Sequence, residues 1–386
     1  MDEVVLIVGA GPSGLATSAC LNLLSVPNLV LEREDCSASL WKKHSYDRLK
    51  LHLGKEFCEL PHMSFPSHAP NFVPKKGFVE YLDAYAEKFN VNPKYCRTVQ
   101  SAAYDGVTGK WHVTVKNMVS DEIEEYMCKF LVAATGENGK GIIPKVAGLD
   151  SFDGEILHSS EYKNGSSYTG KDVLVVGCGN SGMEVAYDLH DWGARTSMVV
   201  RGPVHVFTKE VMYLGMSLLK FLPYTMVDSI MVMLSKCQHG DYSKHGIRTP
   251  TEGPFYLKWM EGRAPVIDVG TMEKIENGEI KVVPAISNIH GRTVTFQDGK
   301  VQHFDAIIFA TGYRSMVRTW LKDGEDLLDQ NGVPKPSYPD HWKGKSGLYC
   351  AGFARRGLLG IAQDAEKIAN DISLAMNNVP NKFVSI

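Results

Sequence analysis

The stretch VVLIVGAGPSG, Val4 to Gly14, leaves a chain few choices of fold. An apolar run, Val4 to Val8, ends in three glycines at G-x-G-x-x-G spacing: Gly9, Gly11 and Gly14. A helix-compatible run, Leu15 to Leu24, comes next, then a second apolar run, Leu29 to Leu31, that ends in Glu32. Strand, glycine turn, helix, strand and spaced acid form the order of a βαβ dinucleotide-binding unit. Gly9 allows the tight turn out of the strand. Gly11 lets a pyrophosphate approach the backbone, and Gly14 lets the helix pack close to the strand. Ala10, Pro12 and Ser13 complete the loop. The N–H groups and dipole at the helix start favour phosphate charge. Glu32 is placed to accept hydrogen bonds from ribose hydroxyls and would repel a 2′-phosphate, which suits FAD or NAD rather than NADP.

The same order returns later. Val173 to Val176 is a strand, and Gly177, Gly179 and Gly182 form a second G-x-G-x-x-G, with Cys178, Asn180 and Ser181 between them. Met183 to Trp192 continues as a helix. The next strand, Thr196 to Val200, ends in Arg201 instead of an acid. A cation there favours a 2′-phosphate, so this unit reads as NADPH-binding, with Arg195 and Lys209 as alternatives. Two nucleotide units in one chain argue for electron transfer between two cofactors, a nicotinamide and a flavin.

The fold class expected is α/β, with two Rossmann-like dinucleotide-binding domains, the second inserted into the first. The boundaries expected are 1–165 for the first part of the FAD domain, 166–309 for the NADPH domain with a helical insert at 205–240, and 310–386 for the C-terminal part of the FAD domain. A length of 386 residues accommodates this plan. A net charge of -3 with no basic block gives no reason to expect nucleic acid. The eight cysteines are scattered and form no C-x-x-C pair, which suits free thiols and argues against a thiol-based reductase of the same plan. No uninterrupted apolar run reaches spanning length, and no cleavable leader is expected before Val4. No metal site is expected, and nothing in the sequence speaks for an oligomeric state.

Other stretches fill in the plan. The segment ASLWKKHSYDRLKLHLGKEFCELP reads as a loop anchored by Trp41 and Tyr46, or one that crosses the cofactor. Phe78, Tyr81, Leu82, Tyr85 and Phe89 fall on one helical face and read as packing. Strands around 111–115 and 125–132 suggest a small antiparallel insert. FLVAATGENG, Phe130 to Gly139, and FDAIIFATGY, Phe304 to Tyr313, are strands that end at Ala-Thr-Gly. Short strands are expected at 265–269, 280–283, 293–296 and 348–351, and a final helix at 358–376. Val211 to Lys236 reads as two short helices split near Pro223: a buried insert, a substrate-channel wall or a membrane-surface contact.

The two glycine loops, the segment F-x-G-x-x-x-H-x-x-x-Y at Phe152 to Tyr162, and FATGY at Phe309 to Tyr313 resemble the flavin-containing monooxygenases of class B. LERED, SLWKKHSYDRLKLHLGKEFCELP, ATGEN, VVRGPVHV and GFARRGLLG are similar to the plant YUCCA group within them. That resemblance implies an NADPH-reduced FAD that captures O2 as a C4a-(hydro)peroxide. It implies the oxidative decarboxylation of indole-3-pyruvate to indole-3-acetate, a step of auxin synthesis. Trp41 joins the cofactor set, and His52 and Asn138 are candidates beside the flavin. Many relatives carry Asn where His52 stands, and YUCCA-like chains tend to carry proline at Gly54. The substrate carboxylate needs a cation: Arg48, Lys50, Arg314 or Arg355. The alternatives are a broad N- or S-oxygenating flavin monooxygenase and a non-catalytic nucleotide-binding protein. The location expected is cytoplasmic, with a peripheral contact to the endoplasmic reticulum as an option.

Overall fold

The computed structural model describes residues 1–239 and 242–377. The chain divides into two compact units. One comprises Met1–Lys43, Lys55–Lys140 and Tyr313–Ile386, and the other His44–Gly54 with Gly141–Gly312.

The first unit is built on a six-stranded sheet. Asp2–Val8 pairs in parallel with Asn28–Leu31 on one side and with Ile123–Ala133 on the other. The 11 residues Ile123–Ala133 form one strand, so the two apolar stretches read separately in the sequence are continuous. Its first half pairs antiparallel with Lys110–Asn117, and its end pairs in parallel with Leu348–Cys350. Arg97–Asp105 completes the antiparallel part. The helix Pro12–Leu23 and the C-terminal helix Gly357–Asn377 also belong to this unit. The helix Lys75–Lys88 buries Phe78, Tyr81, Leu82 and Tyr85, as its periodicity requires. Its tyrosines add direction: Tyr81 donates to the Met63 carbonyl and Tyr85 to the Pro61 carbonyl. Trp111, Tyr126, Val317, Trp320 and Leu348 anchor the unit's core.

The second unit has a five-stranded parallel sheet in the order Lys281–Val283, Arg195–Val199, Asp172–Val176, Ala306–Phe309, Glu155–His158. Glu155–His158, which lies before residue 165, is thus an edge strand of this sheet, paired with Ala306–Phe309. A three-stranded antiparallel ribbon, Ile286–His290, Thr293–Phe296 and Val301–His303, follows Lys281–Val283 in the chain. The apolar stretch from Val211 forms two helices, Lys209–Leu218 and Tyr224–His239, with Pro223 in the break. Val211, Met212, Val227 and Met231 are buried with Phe207 and Phe255. The opposite face is open: Phe221 is 83% exposed and Met233 59%. A fully buried insert is therefore only half the account. Among the described residues no helix is long and apolar enough to cross a membrane.

Candidate functional site

Each unit presents a glycine turn at the carboxyl end of its central strand, where neighbouring strands lie to both sides. That is where open parallel sheets bind ligands. The two turns have the same construction. Gly9 has φ +109, and a Cβ there would meet the Ala134 carbonyl oxygen at 2.7 Å. Gly177 has φ +116, and its Cβ would meet the Ala310 oxygen at 2.4 Å. A Cβ on Gly14 would lie 1.8 Å from the Gly9 oxygen, and one on Gly182 2.1 Å from the Gly177 oxygen. A Cβ on Gly11 or Gly179 would instead meet nothing within 4 Å. Sterics of the fold explain the outer glycines; space for something else explains the middle ones.

Both middle glycines are N-caps with identical backbone angles, φ −73 and ψ −178, and neither has a side-chain cap. The first N–H groups of both helices are thus left for an anion. The Ala-Thr-Gly strand ends belong to the same construction. Ala134 N–H donates to the Val8 carbonyl, and Ala310 N–H to the Val176 carbonyl. The alanines' backbone carbonyls are the atoms that a Cβ on Gly9 or Gly177 would strike.

What closes each turn differs. Strand register sets Leu31 opposite Val8, so the next residue, Glu32, reaches the first glycine turn. Its Oε2 accepts the Ala10 N–H at 2.7 Å and its Oε1 the Glu34 N–H at 3.0 Å. Burial pushes the Glu32 carboxyl up, and these two amides hold it back. At the second turn Asn180 does the closing: its Nδ2 donates to the Pro265 carbonyl and its Oδ1 accepts the Ile267 N–H. Arg201 is exposed, two residues past the end of its strand at Val199. Arg195 starts that strand opposite Asp172, whereas the turn follows Val176 opposite Val199. Four residues of strand, about 13 Å, separate Arg195 from the turn, and Asp172 engages it through Nε at 2.8 Å and Nη2 at 2.5 Å. Arg195 is therefore not a candidate for the phosphate. Lys209 opens the Lys209–Leu218 helix.

The segment Phe152 to Tyr162 braces the second unit. His158, 3% exposed, faces Ser160 Oγ at 3.0 Å through Nδ1 and the Gly312 carbonyl at 3.1 Å through Nε2. Burial lowers its pKa, so the ring is a structural link between the edge strand and the second Ala-Thr-Gly. Tyr162 donates to Asp188 Oδ2 at 2.6 Å, and that oxygen also accepts the Gly165 N–H.

His52 lies in the second unit. Its Nε2 is 2.7 Å from Oε1 of Glu184, which is 3% exposed, on the helix Asn180–Asp191. Arg48 sits over the Tyr187 ring at 4.3 Å and faces Asp188 at 3.6 Å and Asp191 at 3.4 Å. Glu184 and Asp188 escape the sequence reading. Their signal is two acids four residues apart on a helix whose remaining face is apolar. Lys50, Arg314 and Asn138 are exposed, and Arg355 is partly buried with φ +57. Trp41 is partly buried, its ring edge-on to Phe78 at 4.5 Å. Burial pushes the thiols of Cys20, Cys58 and Cys128 up to about 12, which suits packing and not redox exchange. Among the described residues no cluster of His, Cys, Asp and Glu could hold a metal ion.

Known proteins share this fold. A flavin monooxygenase from Stenotrophomonas maltophilia matches with a TM-score of 0.73 at 19% identity, over 97% of this chain and 99% of that one. A cyclohexanone monooxygenase from Rhodococcus sp. Phi1 bound to NADP+ matches with a TM-score of 0.74 at 16% identity, over 98% of this chain and 85% of that one. At such identities the likeness is one of fold. Sequence relatives are nearer. The probable indole-3-pyruvate monooxygenase YUCCA10 of Arabidopsis thaliana is 54% identical over 99% of this chain and 100% of its own length. The indole-3-pyruvate monooxygenase YUCCA1 of Oryza sativa subsp. japonica is 48% identical over 95% of this chain and 90% of its own. Residues 2–324 match the flavin-binding monooxygenase-like family, and with these relatives the chain belongs to the YUCCA group of that family.

Proposed function

We propose that the chain is an FAD- and NADPH-dependent monooxygenase. It converts indole-3-pyruvate, O2, NADPH and one proton into indole-3-acetate, CO2, NADP+ and water. The observation that carries this reading is the pair of glycine turns, each uncapped and each open only at its middle glycine. The names of relatives with 46–54% identity support the substrate.

Gly9, Ala10, Gly11, Pro12, Ser13 and Gly14, with Glu32 and Trp41, would hold FAD. Gly177, Cys178, Gly179, Asn180, Ser181 and Gly182, with Arg201, would hold NADPH. When bound, the flavin supplies the redox chemistry: it takes hydride from the nicotinamide and activates oxygen. The chain positions and shields. Gly11 and Gly179 keep space for the two pyrophosphates, and the amides that follow offset their charge. Glu32 spends part of its capacity on Ala10 N–H, which fixes the carboxylate at the turn and leaves lone pairs for ribose hydroxyls. His158 and Tyr162 hold the strand ends and the helix of the second turn in place.

The test is direct. The purified protein should carry a flavin absorbance spectrum and form indole-3-acetate from indole-3-pyruvate with NADPH in air. Formation of an N-oxide or sulfoxide from an amine or thioether, with no indole-3-acetate, would overturn the substrate assignment. Absence of any NADPH oxidation would favour a non-catalytic nucleotide-binding protein.

A further inference from the structure

The arginines of the second unit are Arg48, Arg195, Arg201, Arg248, Arg263 and Arg292. Most of them face a carboxylate. Arg48 meets Asp188 at 3.6 Å and Arg195 meets Asp172 at 2.5 Å, while Arg263 and Arg292 meet Glu261 and Asp305, each at 3.0 Å. Arg201 and Arg248 are exposed and have no acidic partner among the described residues. The fold brings these two together across 47 residues of chain. Nη2 of Arg248 donates to the Arg201 carbonyl at 3.4 Å, and the Arg248 carbonyl accepts the Val204 N–H at 2.9 Å. The unit's unneutralised arginines thus lie on adjoining segments, just past the strand Arg195–Val199.

Local packing fixes this juxtaposition. Ile247 is buried in the unit's core, and Val204 packs against the same core. His205 Nε2 lies 2.7 Å from the Glu252 carbonyl, a second link between the two segments. Arg263 shows what a purely bracing arginine looks like at this turn. Its Nη2 donates to the Pro203 carbonyl at 3.0 Å, and Glu261 offsets its charge through Nη1. Arg248 makes a longer bond and has no such acid. A guanidinium carries several N–H donors in a planar fork, and the bond to Arg201 uses one of them. Like charges on adjoining segments, with no acid between them, favour an anion shared by both. The place says which anion. Register sets Val199 opposite Val176, the last residue before the second glycine turn. A nucleotide with its pyrophosphate on that turn brings its ribose to the end of the neighbouring strand.

We propose that Arg248 is a second ligand of the ribose 2′-phosphate, beside Arg201. This rests on the NADPH reading above for the identity of the anion. The pairing of two unneutralised arginines is independent of it.

The experiment uses the FAD-loaded protein and two probes, adenosine 2′,5′-bisphosphate and 5′-AMP, titrated by calorimetry. The parent should bind the bisphosphate more tightly than AMP. Loss of a charge-assisted hydrogen bond to phosphate corresponds to at least about tenfold in affinity. Arg248→Ala should weaken the bisphosphate by that factor and leave AMP within about twofold. Arg248→Gln keeps a donor for the Arg201 carbonyl but carries no charge, and should lose as much as Arg248→Ala. Arg263→Gln should leave both probes unchanged. In the double variant Arg201→Ala with Arg248→Ala, the preference for the bisphosphate should disappear. Equal weakening of both probes in Arg248→Ala, or recovery in Arg248→Gln, would mark Arg248 as a brace of the turn and overturn the proposal. The same loss in Arg263→Gln would show a general effect of surface charge and overturn it too. A parent preference that survives Arg248→Ala at full strength would remove Arg248 from the site and leave the NADPH reading standing. A parent with no preference for the bisphosphate would overturn the NADPH reading, and the assignment of Arg248 with it.

Discussion

The two glycine turns share a backbone and differ in what surrounds it. Their N-cap angles coincide, and both leave the middle glycine facing open space. The first has Pro12 at the first helical position, and Glu32 closes it through Ala10 N–H. In the second Asn180 takes that first position and ties the turn to the strand Val266–Ile267, with Arg201 beyond the adjacent strand. Proline at that position lacks an N–H, so the first turn offers one donor fewer. The comparison separates two tasks. On the proposed reading, the same backbone geometry would hold a pyrophosphate in both units, and Glu32 and Arg201, just beyond their strands, would set which nucleotide fits: an acid for a plain ribose, a cation for a phosphorylated one.

The largest effect should come from breaking the shared geometry. Gly14→Val and Gly182→Val each force a Cβ against a backbone carbonyl of the same turn, at 1.8 and 2.1 Å. Neither helix can withdraw without leaving its sheet. Each should cost about 3 kcal/mol or more, the upper end for overpacking. Urea unfolding followed by circular dichroism checks this. A midpoint unchanged in either variant would show that the close approach is not essential.

Gly11→Val and Gly179→Val sharpen the comparison, because a Cβ at either position faces open space. Unfolding midpoints should move little. Gly11→Val should lower FAD content by at least about tenfold in affinity, equivalent to about 1.4 kcal/mol. Gly179→Val should keep its flavin and raise KM for NADPH by a similar factor. Flavin absorbance and steady-state kinetics separate the two. Loss of flavin in Gly179→Val would reverse the assignment of the turns.

Much of this is legible because glycine spacing records sterics that act within a few residues. The strands at Asp2–Val8 and Asp172–Val176, the helices after them, the Ala-Thr-Gly ends and the aromatic face of Lys75–Lys88 are local patterns. What escapes depends on contacts between distant parts of the chain. The Glu184 partner of His52 is 132 residues away, and the assignment of His44–Gly54 to the second unit needs the fold. Charge alone makes Arg195 interchangeable with Arg201; position along the strand separates them. The helices from Lys209 to His239 are rich in apolar residues throughout, so hydropathy alone does not separate buried Met231 from exposed Met233.

Arg201→Ala tests the cation side of the comparison. A charge-assisted hydrogen bond to phosphate is worth about 1.5–3 kcal/mol, so KM for NADPH should rise about 10- to 100-fold. KM for NADH, which lacks that phosphate, should stay within about twofold on the same scale. Equal losses for both would remove Arg201 from the site.

Glu32→Gln tests the acid side, through a small pH-dependent change in the stability of the isolated fold. Burial raises the Glu32 pKa, so folding is less favourable with the carboxyl charged than with it neutral. The sign follows from linkage. The contribution of Glu32 to stability is fully present below the ordinary glutamate value and is lost as pH rises through the raised one, when a buried charge forms. The amide of the Glu32→Gln variant does not titrate and keeps an oxygen for Ala10 N–H. In protein stripped of flavin, the variant should therefore gain on the parent in urea midpoint as pH rises from about 4 to about 7. Arg201→Ala should show no such trend, because its side chain is exposed. With FAD present the order should reverse, since a charged acceptor holds ribose hydroxyls more strongly than an amide. A pH-independent difference between parent and Glu32→Gln would mean that Ala10 and Glu34 N–H groups already offset the burial of the charge.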